Sequence, residues 1–171
     1  LFQSLVLTQP DRPKGRGRRL AEPPVKELAG RLGVPVLQTE TLDEARLRPV
    51  FVESGAEALV VVAYGLTIPD WLLALHPRGA INVPGSLLPA YRGAAPVNRA
   101  IINGDAETGV TTMLLASRMD AGPMLMRRRT PIGPEETAGE VTARLAELGA
   151  GLLVVTLDGL SSGIVQPREQ G

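Results

Sequence analysis

The segment from Ile81 to Leu125 contains the polar residues of this chain that are best suited to chemistry. Asn82 offers a side-chain amide at the end of a strand-like run, and Asp120 offers a carboxylate in an Asp-Ala-Gly turn. A Gly- and Pro-rich loop, a helix and a strand rich in β-branched residues separate the two. A strand, a polar loop and a helix in this order predict a binding crevice at the C-terminal end of a parallel strand.

The same residue types also have structural uses, and spacing alone does not decide between the two interpretations. Asn82 shortly before a Pro-Gly pair is typical of a turn former. Asp120 before Ala-Gly is also a common turn residue. Ser86 could hydrogen-bond within its own loop, and Arg92 could be a solvated surface charge.

Composition fits a single globular domain over residues 1–171 and excludes several functional classes. The formal net charge is +0, so affinity for nucleic acid would need a local basic patch, and we expect no DNA partner. The absence of Cys and the single His76 exclude thiolate and multi-histidine metal sites, so no metal is expected. The lack of Cys fits a reducing compartment such as the cytoplasm. Apolar runs are too short to cross a bilayer, so we expect no membrane partner.

Strands alternate with helices along the chain, which predicts an α/β fold with a doubly wound, mostly parallel sheet. The predicted strands are residues 4–8, 34–37, 57–63, 80–83, 108–115 and 124–128, and the predicted helices are 23–32, 43–55, 69–75, 96–103 and 137–157. Thr137 and Glu140 form a capping-box pattern, whereas Pro49 predicts a kink or break in its helix. The nearly all-apolar strand 57–63 is typical of burial on both faces. The Gly-x-Gly stretch at Gly15 lacks the third glycine of a dinucleotide site.

Four motifs follow Asn82 in close succession. They are Ser-Leu-Leu-Pro at 86–89, Tyr-Arg-Gly-Ala-Ala-Pro at 91–96, Gly-Asp-Ala-Glu-Thr-Gly-Val-Thr at 104–111 and Asp-Ala-Gly-Pro-Met-Leu at 120–125. Together they resemble the folate-dependent formyltransferase family, and within it the methionyl-tRNA formyltransferases. The resemblance runs from about Ser4 to Leu157 and implies the family's Rossmann-like fold. It also implies transfer of a formyl group from 10-formyltetrahydrofolate, the co-substrate, to the amino group of initiator methionyl-tRNA.

The resemblance assigns roles to individual residues. Asn82 and Asp120 correspond to the family's catalytic Asn and Asp. Such a pair would supply a hydrogen-bond donor to the tetrahedral oxyanion and a group to handle the proton that leaves the amine. The segment that would hold the folate is Ser86, Leu87, Leu88 and Pro89, and the residues that would line the amine pocket are Arg92, Gly93, Ala94, Ala95 and Pro96.

One position departs from the family pattern. The family has a histidine two residues after the catalytic Asn, and this chain has Pro84 there. Proline has neither a polar side-chain atom nor a backbone N–H. Losing one oxyanion donor typically costs about 10²- to 10³-fold in rate, so the sequence predicts impaired or absent activity. His76 lies in a different segment before the strand and is expected to be a structural or surface histidine.

Residues 9–20 combine prolines, glycines and basic side chains, which predicts an exposed, mobile loop. The basic residues are Arg12, Lys14, Arg16, Arg18 and Arg19. By resemblance, this is the loop with which methionyl-tRNA formyltransferases reach the tRNA acceptor arm. A solvated charge run remains the alternative interpretation. A second basic run, Arg127 to Arg129, could support RNA binding or merely decorate an edge strand.

The resemblance also indicates segments that this sequence lacks. Ser4 to Thr8 matches the family's second strand, so the fold is expected to be incomplete at the N-terminus and to lack the family's C-terminal β-barrel domain. Unpaired strand edges would then make the chain marginally stable and prone to association. Two other functions stay open: a non-catalytic module that retains folate or tRNA contacts, and a formyltransferase for a small amine such as phosphoribosylglycinamide.

Overall fold

The computed structural model describes residues 4–14 and 19–170 and confirms the α/β fold class. The described chain divides into two compact units. One contains the described residues up to Ala58 together with Ala63–Pro77. The other contains Leu59–Val62 and the described residues from Arg78 onwards.

The first unit holds short strands and helices. They are β1 (Val6–Thr8), β2 (Arg12–Lys14), β3 (Arg19–Ala21), α1 (Pro24–Arg31), β4 (Val36–Gln38), α2 (Glu44–Glu53) and α3 (Asp70–Leu73). Strands β1 and β4 pair in parallel, with Val6 opposite Val36. Strands β2 and β3 pair antiparallel, with Arg12 opposite Ala21.

The β2–β3 pair corrects the prediction of a loop over residues 9–20. Backbone pairing extends from Arg12 opposite Ala21 to Lys14 opposite Arg19, and this antiparallel pair is called the basic hairpin. Residues 15–18 lie outside the described residues. Pro and Gly are typical of turns, so a segment rich in both predicted a loop. Strand pairing depends instead on backbone hydrogen bonds, which composition does not report.

Helix α2 starts and packs as its sequence dictates. The Asp43 carboxylate accepts a hydrogen bond from the Arg46 N–H at 2.9 Å, which caps the helix as predicted. Leu47 and Phe51, four residues apart, are its buried residues. The helix continues through Pro49, so the predicted break does not occur. Pro49 is exposed on the water-facing side, where a carbonyl that loses its helical partner can be hydrated.

His76 has a structural place in the first unit. It is buried, its Nδ1 lies 2.9 Å from the Ala56 carbonyl oxygen, and its ring packs edge-on against Phe51 at 5.9 Å. Trp71 contacts the other side of this cluster, with its ring centroid 6.3 Å from that of Phe51. The histidine therefore serves packing, although its buried Nε2 has no hydrogen-bond partner among the described residues.

The second unit contains the four-stranded sheet that positions the candidate site. Its elements are β5 (Leu59–Val61), β6 (Ala80–Asn82), α4 (Pro96–Ile102), β7 (Glu107–Leu114), β8 (Met124–Pro131) and α5 (Ala138–Ser161). The strand order is β5-β6-β7-β8. Strands β5 and β6 run parallel, and β6–β7 and β7–β8 pair antiparallel.

Helix α5 covers one face of this sheet. The Thr137 hydroxyl accepts from the Glu140 N–H, and the Glu140 carboxylate accepts from the Thr137 N–H, which confirms the predicted capping box. The helix buries a stripe at helical spacing: Val141, Leu145, Gly149, Leu152 and Thr156. Together with Val97 and Val110, part of this stripe forms the core of the unit. Within the described residues, α5 and the other helices are too short or too polar to cross a membrane.

Strand β5 differs from its prediction. The apolar run 57–63 predicted burial on both faces, but Val60 is 39% exposed and Val62 is 57% exposed. In the described structure β5 pairs only with β6, so it is an edge of its sheet. Apolar composition predicts a buried strand only when other elements cover both of its faces, and Val60 and Val62 lie on the same, exposed face. The sequence pattern does not report which elements pack on each face.

Candidate active site

The structure brings Asn82 and Asp120 together. Asn82 is the last residue of β6, and Asp120 lies in the turn between β7 and β8. The Asn82 side-chain N–H donates to the Asp120 carboxylate across 3.4 Å. Both residues are half-buried, so the pair lies partly shielded from water at the carboxyl end of a parallel strand.

Asp120 also binds the loop that precedes α4. Its second carboxylate oxygen accepts the Gly93 backbone N–H at 2.9 Å. The backbone of Asp120 has φ 47°, a left-handed conformation that costs energy for a residue with a Cβ. A single carboxylate thus connects the end of β6, the loop at Gly93 and a strained turn.

The Ser86–Pro89 segment is fixed by strand β7. The Thr111 hydroxyl donates to the Ser86 carbonyl oxygen at 2.7 Å and accepts the Leu88 N–H at 3.1 Å. Ser86 and Leu88 are 1% and 0% exposed, so their side chains are not presented to solvent, and the Ser86 hydroxyl has no hydrogen-bond partner among the described residues. Pro89 is exposed.

Leu87 packs over Gly109 of β7. A Cβ at Gly109 would lie 2.5 Å from Leu87 Cδ2 and 2.2 Å from the Arg128 carbonyl oxygen. The glycine therefore allows both the loop and strand β8 to approach β7 closely.

Tyr91 stabilises the next part of the loop through two hydrogen bonds. Its hydroxyl donates to the Asp105 carboxylate at 2.7 Å and accepts from the Asn103 amide at 2.9 Å. The hydrogen bond to Asp105 raises the pKa of Tyr91. Because Tyr91 itself has φ 55°, these bonds stabilise a turn that sets the direction of the following residue, Arg92.

The predicted amine-pocket residues follow this turn. Arg92 is half-buried, and its Nε and Nη2 donate to Gln170 Oε1 at 2.9 and 2.7 Å. Ala94 and Ala95 are exposed, and Ala95 adopts φ 52° as the N-cap of α4. Pro96 is the first residue of that helix, a position where its missing N–H costs nothing.

Pro84 stands between the Asn82–Asp120 pair and the anchored loop. It is half-buried, and its carbonyl oxygen accepts the Thr111 N–H at 3.2 Å. The ring offers no hydrogen-bond donor to the site.

The basic hairpin belongs to the first unit. Arg12 is exposed, and its guanidinium donates to Gln9 at 3.2 Å. Lys14 and Arg19 are opposite each other in the ladder, and the predicted contributors Arg16 and Arg18 lie outside the described residues. An open cleft of about 480 Å³ runs beside the hairpin, lined by Arg12, Pro13, Glu22 and Tyr64 among others.

A charged cluster fixes the base of this hairpin. The Asp11 carboxylate accepts from Lys26 Nζ at 2.8 Å and from Gln38 Nε2 at 2.6 Å. The Lys26 ammonium, followed by the Gln38 amide, lowers the pKa of Asp11, and the same ion pair raises the pKa of Lys26.

The second basic run is largely engaged within its own unit. Arg127 donates to the Leu88 carbonyl oxygen at 3.1 Å, and Arg129 forms an ion pair with Glu107. These contacts engage two of the three arginines, and all three are exposed on the edge strand β8. Among the described residues, no cluster of three or more His, Asp or Glu side chains could hold a metal ion.

Sequence reasoning did not identify Thr111, Tyr91 or Gln170 as parts of the site. Thr111 and Tyr91 lie inside the motifs that carry the resemblance, and a buried polar residue in a strand was a usable signal for Thr111. Gln170 lies in a polar tail 50 residues from Asp120, and nothing local in its sequence indicates the contact.

The fold and the site define an α/β protein with an amide and a carboxylate paired at the carboxyl end of a sheet strand. The sequence pattern of the formyl transferase family matches residues 3–157, and the chain belongs to that family of enzymes.

Two known proteins are similar to this chain, one in sequence and one in fold. A methionyl-tRNA formyltransferase of Pelobacter propionicus is 51% identical over 165 residues, which cover 96% of this chain and 52% of that protein. The chain thus spans about half the length of that relative. Glycinamide ribonucleotide transformylase 1 of Symbiobacterium toebii shares the fold at a TM-score of 0.78 and 20% identity, covering 88% of this chain and 77% of that one.

A further structure with the same fold contains a folate. It is the formyltransferase PseJ of Anoxybacillus kamchatkensis, in complex with a nucleotide-linked sugar and tetrahydrofolate. Its TM-score is 0.69 at 18% identity, covering 98% of this chain and 81% of that one.

Proposed function

We propose that this chain, as one catalytic domain over residues 1–171, transfers a formyl group from 10-formyltetrahydrofolate to the amino group of initiator methionyl-tRNA. The observation that carries the proposal is the Asn82–Asp120 pair, held at 3.4 Å beside the loop at Gly93. A methionyl-tRNA formyltransferase at 51% identity supports the choice of acceptor. The tetrahydrofolate in a structure of the same fold supports the choice of donor.

The donor groups of the site fit the chemistry of acyl transfer. Attack of the amine nitrogen on the formyl carbon produces a tetrahedral oxyanion, which needs a hydrogen-bond donor placed in advance. The Asn82 amide has two N–H groups. One is directed at Asp120, and we assign the other to the oxyanion.

Asp120 is the proton acceptor in this proposal. The attacking amine carries a proton that must leave as the new C–N bond forms, and a nearby carboxylate can take it. Collapse of the tetrahedral intermediate breaks the bond between the formyl carbon and N10 of the folate, and the proton passes to that nitrogen, which leaves as tetrahydrofolate. The hydrogen bonds from Asn82 and Gly93 hold the carboxylate in one orientation, so it needs little reorganisation during the reaction.

The Ser86–Pro89 segment and the Arg92–Pro96 segment would hold the two substrates. Because Ser86 and Leu88 are buried against β7, contacts from the first segment to the folate would use backbone groups and the exposed Pro89. Arg92, Gly93 and Ala94 would face the incoming amine.

The basic hairpin would supply phosphate contacts to the tRNA. Arg12 is exposed and has a neutral partner, Gln9, so its charge is available to a phosphate. Further positive charge would come from the other basic residues of the segment: Lys14, Arg16, Arg18 and Arg19. We place the reaction in the bacterial cytoplasm, where initiation of translation takes place.

Pro84 makes this a slow or inactive enzyme in the proposal. It occupies the position of the family's histidine and offers no donor or acceptor from its side chain. The same feature favours a second candidate function, in which the chain binds folate and tRNA without catalysing transfer. A third candidate, transfer to a small amine, would not depend on the basic hairpin.

Transfer of a labelled formyl group to methionyl-tRNA tests the proposal. In a Pro84→His background, Asn82→Ala should lower the rate by about 10²- to 10³-fold, because an oxyanion donor is lost. Asn98→Ala, at an exposed asparagine on α4, is the matched control and should change nothing. Folate binding with no labelled product in any variant would favour the binding module. Product from a small amine with none from methionyl-tRNA would favour the third candidate.

A further inference from the structure

Gln170 makes contact with both halves of the candidate site. Its side-chain Nε2 donates to the carbonyl oxygens of Asp120 and Gly122, at 2.8 and 2.7 Å. Its Oε1 accepts from Nε and Nη2 of Arg92, at 2.9 and 2.7 Å. One amide therefore joins the turn that carries Asp120 to the guanidinium of the predicted amine pocket.

The chemistry of this contact requires a primary carboxamide, which glutamine supplies. Two backbone carbonyls can only accept and a guanidinium can only donate, so the partner must have two N–H donors and an oxygen acceptor on one planar group. A glutamate would keep the acceptor for Arg92 but lose both donors to the turn. An alanine would lose all four hydrogen bonds.

The segment that carries Gln170 is itself fixed to the sheet. Arg168 and Met124 exchange two backbone hydrogen bonds of 2.8 Å each, which form an isolated antiparallel bridge at the start of β8. Gln170 follows two residues later, so its side chain approaches the Asp120 turn from an anchored backbone.

The turn needs such support. Asp120 adopts φ 47°, a conformation that persists in a non-glycine residue only where its surroundings hold it. Gly122 lies so close to β7 that an added Cβ would be 2.0 Å from the Leu114 carbonyl oxygen. The two side-chain N–H groups of Gln170 donate to the Asp120 and Gly122 carbonyl oxygens of this turn.

We propose that Gln170 is a positioning residue that fixes the Asp120 carboxylate for proton transfer and the Arg92 guanidinium for acceptor binding. This assignment rests on the proposed formyl transfer for its functional consequence. Its structural part, the placement of Asp120, is measurable without any substrate.

Two substitutions separate the two halves of the contact. In the Pro84→His background, Gln170→Glu should lower kcat by about 10-fold or more, since misplacement of a reacting group is costly, while the KM for methionyl-tRNA stays nearly unchanged. Gln170→Ala should lower kcat and also raise that KM, because Arg92 loses its partner. Gln166→Glu and Gln166→Ala are the matched controls. The Gln166 side chain is exposed, bonds only to the Gly163 carbonyl oxygen among the described residues, and should affect neither constant.

Amide hydrogen exchange at Gly93 supplies a readout that needs no catalysis. The Gly93 N–H donates to the Asp120 carboxylate, so it reports whether Asp120 is in place. In the natural chain, Gln170→Ala should increase the exchange rate at Gly93 by about 10-fold or more, because two neutral hydrogen bonds to the Asp120 turn are lost, with no change in Gln166→Ala.

The outcomes separate this inference from the proposed function. Unchanged Gly93 exchange in Gln170→Ala would overturn the positioning role. Faster exchange with unchanged kcat and KM would overturn it as well, because Gln170 would then be merely structural. If no variant transfers formyl while Gly93 exchange responds to Gln170→Ala, the proposed function fails and the placement of Asp120 by Gln170 stands.

Discussion

The site around Asp120 and the basic hairpin of the first unit are held in very different ways. In the site, hydrogen bonds from Asn82, Gly93 and Gln170 reach the Asp120 carboxylate or its turn. In the hairpin, the described anchoring is concentrated at its base, where Asp11 binds Lys26 and Gln38. Beyond that base, the Arg12 side chain makes one hydrogen bond within the described part of the chain, to Gln9.

The difference corresponds to what each region would do. Proton transfer and oxyanion stabilisation depend steeply on position, so a site for them needs fixed side chains. Contact with phosphates depends mainly on charge and tolerates mobile side chains. The comparison therefore predicts that changes in the site alter rate and folding sharply, whereas changes in the hairpin alter binding gradually and in a salt-dependent way.

The largest effect is expected from Asp120→Asn in the Pro84→His background. The substitution keeps the size of the side chain and removes the proposed proton acceptor, so kcat should fall by about 10²- to 10⁴-fold. Asp158→Asn, at an exposed position of α5, should leave kcat unchanged. A loss of less than threefold in Asp120→Asn would show that another group takes the proton.

The next effect concerns the packing beneath the loop. Gly109→Ala would place a Cβ 2.2 Å from the Arg128 carbonyl oxygen and 2.5 Å from Leu87. Overpacking of this kind should lower the free energy of unfolding by about 1–3 kcal/mol, as measured by urea titration. Gly151→Ala in α5 meets no atom within 4 Å and should be neutral or stabilising by up to about 1 kcal/mol. Equal stability of the two variants would mean that the loop does not depend on close contact with β7.

The parts of the fold that the sequence predicted are those governed by local signals. The caps at Asp43 and Thr137 were predicted because capping depends on residues three positions apart. The Asn82–Asp120 approach was expected only through the family resemblance, since 38 residues separate the two. The exposure of Val60, the hairpin ladder and the Gln170 contact were missed because each depends on distant backbone that no local pattern reports.

Replacing basic residues of the hairpin with neutral ones should affect tRNA binding and should not affect the rate of transfer. The double variant Arg12→Gln, Lys14→Gln should weaken binding of methionyl-tRNA and reduce the slope of log Kd against log salt by about one unit per lost phosphate contact. Arg31→Gln, at an arginine of α1 that is paired with Glu27, is the control. An unchanged slope would remove the hairpin from the tRNA interface and favour a small-amine acceptor.

A smaller effect should appear in acid. The Arg144 guanidinium, followed by the Gly133 N–H, lowers the pKa of Glu136 to about 2, from a usual value of 4.5. Because the pKa is lower in the folded state, the contribution to stability is present above about pH 4.5 and is lost as the pH falls through about 2. Glu136→Gln should lower the Tm at pH 7 and flatten its dependence on pH between these values.

Glu135→Gln, at the exposed neighbouring carboxylate, is the control for this prediction. A profile of Tm against pH that is the same for Glu136→Gln and the natural chain would show that the Arg144 contact does not stabilise the fold.

The measurement that tests the account most directly is formyl transfer to methionyl-tRNA by the natural chain, by Pro84→His and by Pro134→His. Pro134 is an exposed proline before α5 and controls for the substitution itself. The account predicts that Pro84→His is faster than the natural chain by about 10²- to 10³-fold, and that Pro134→His is not faster at all. A Pro84→His variant that is folded but no faster than the natural chain would contradict the account.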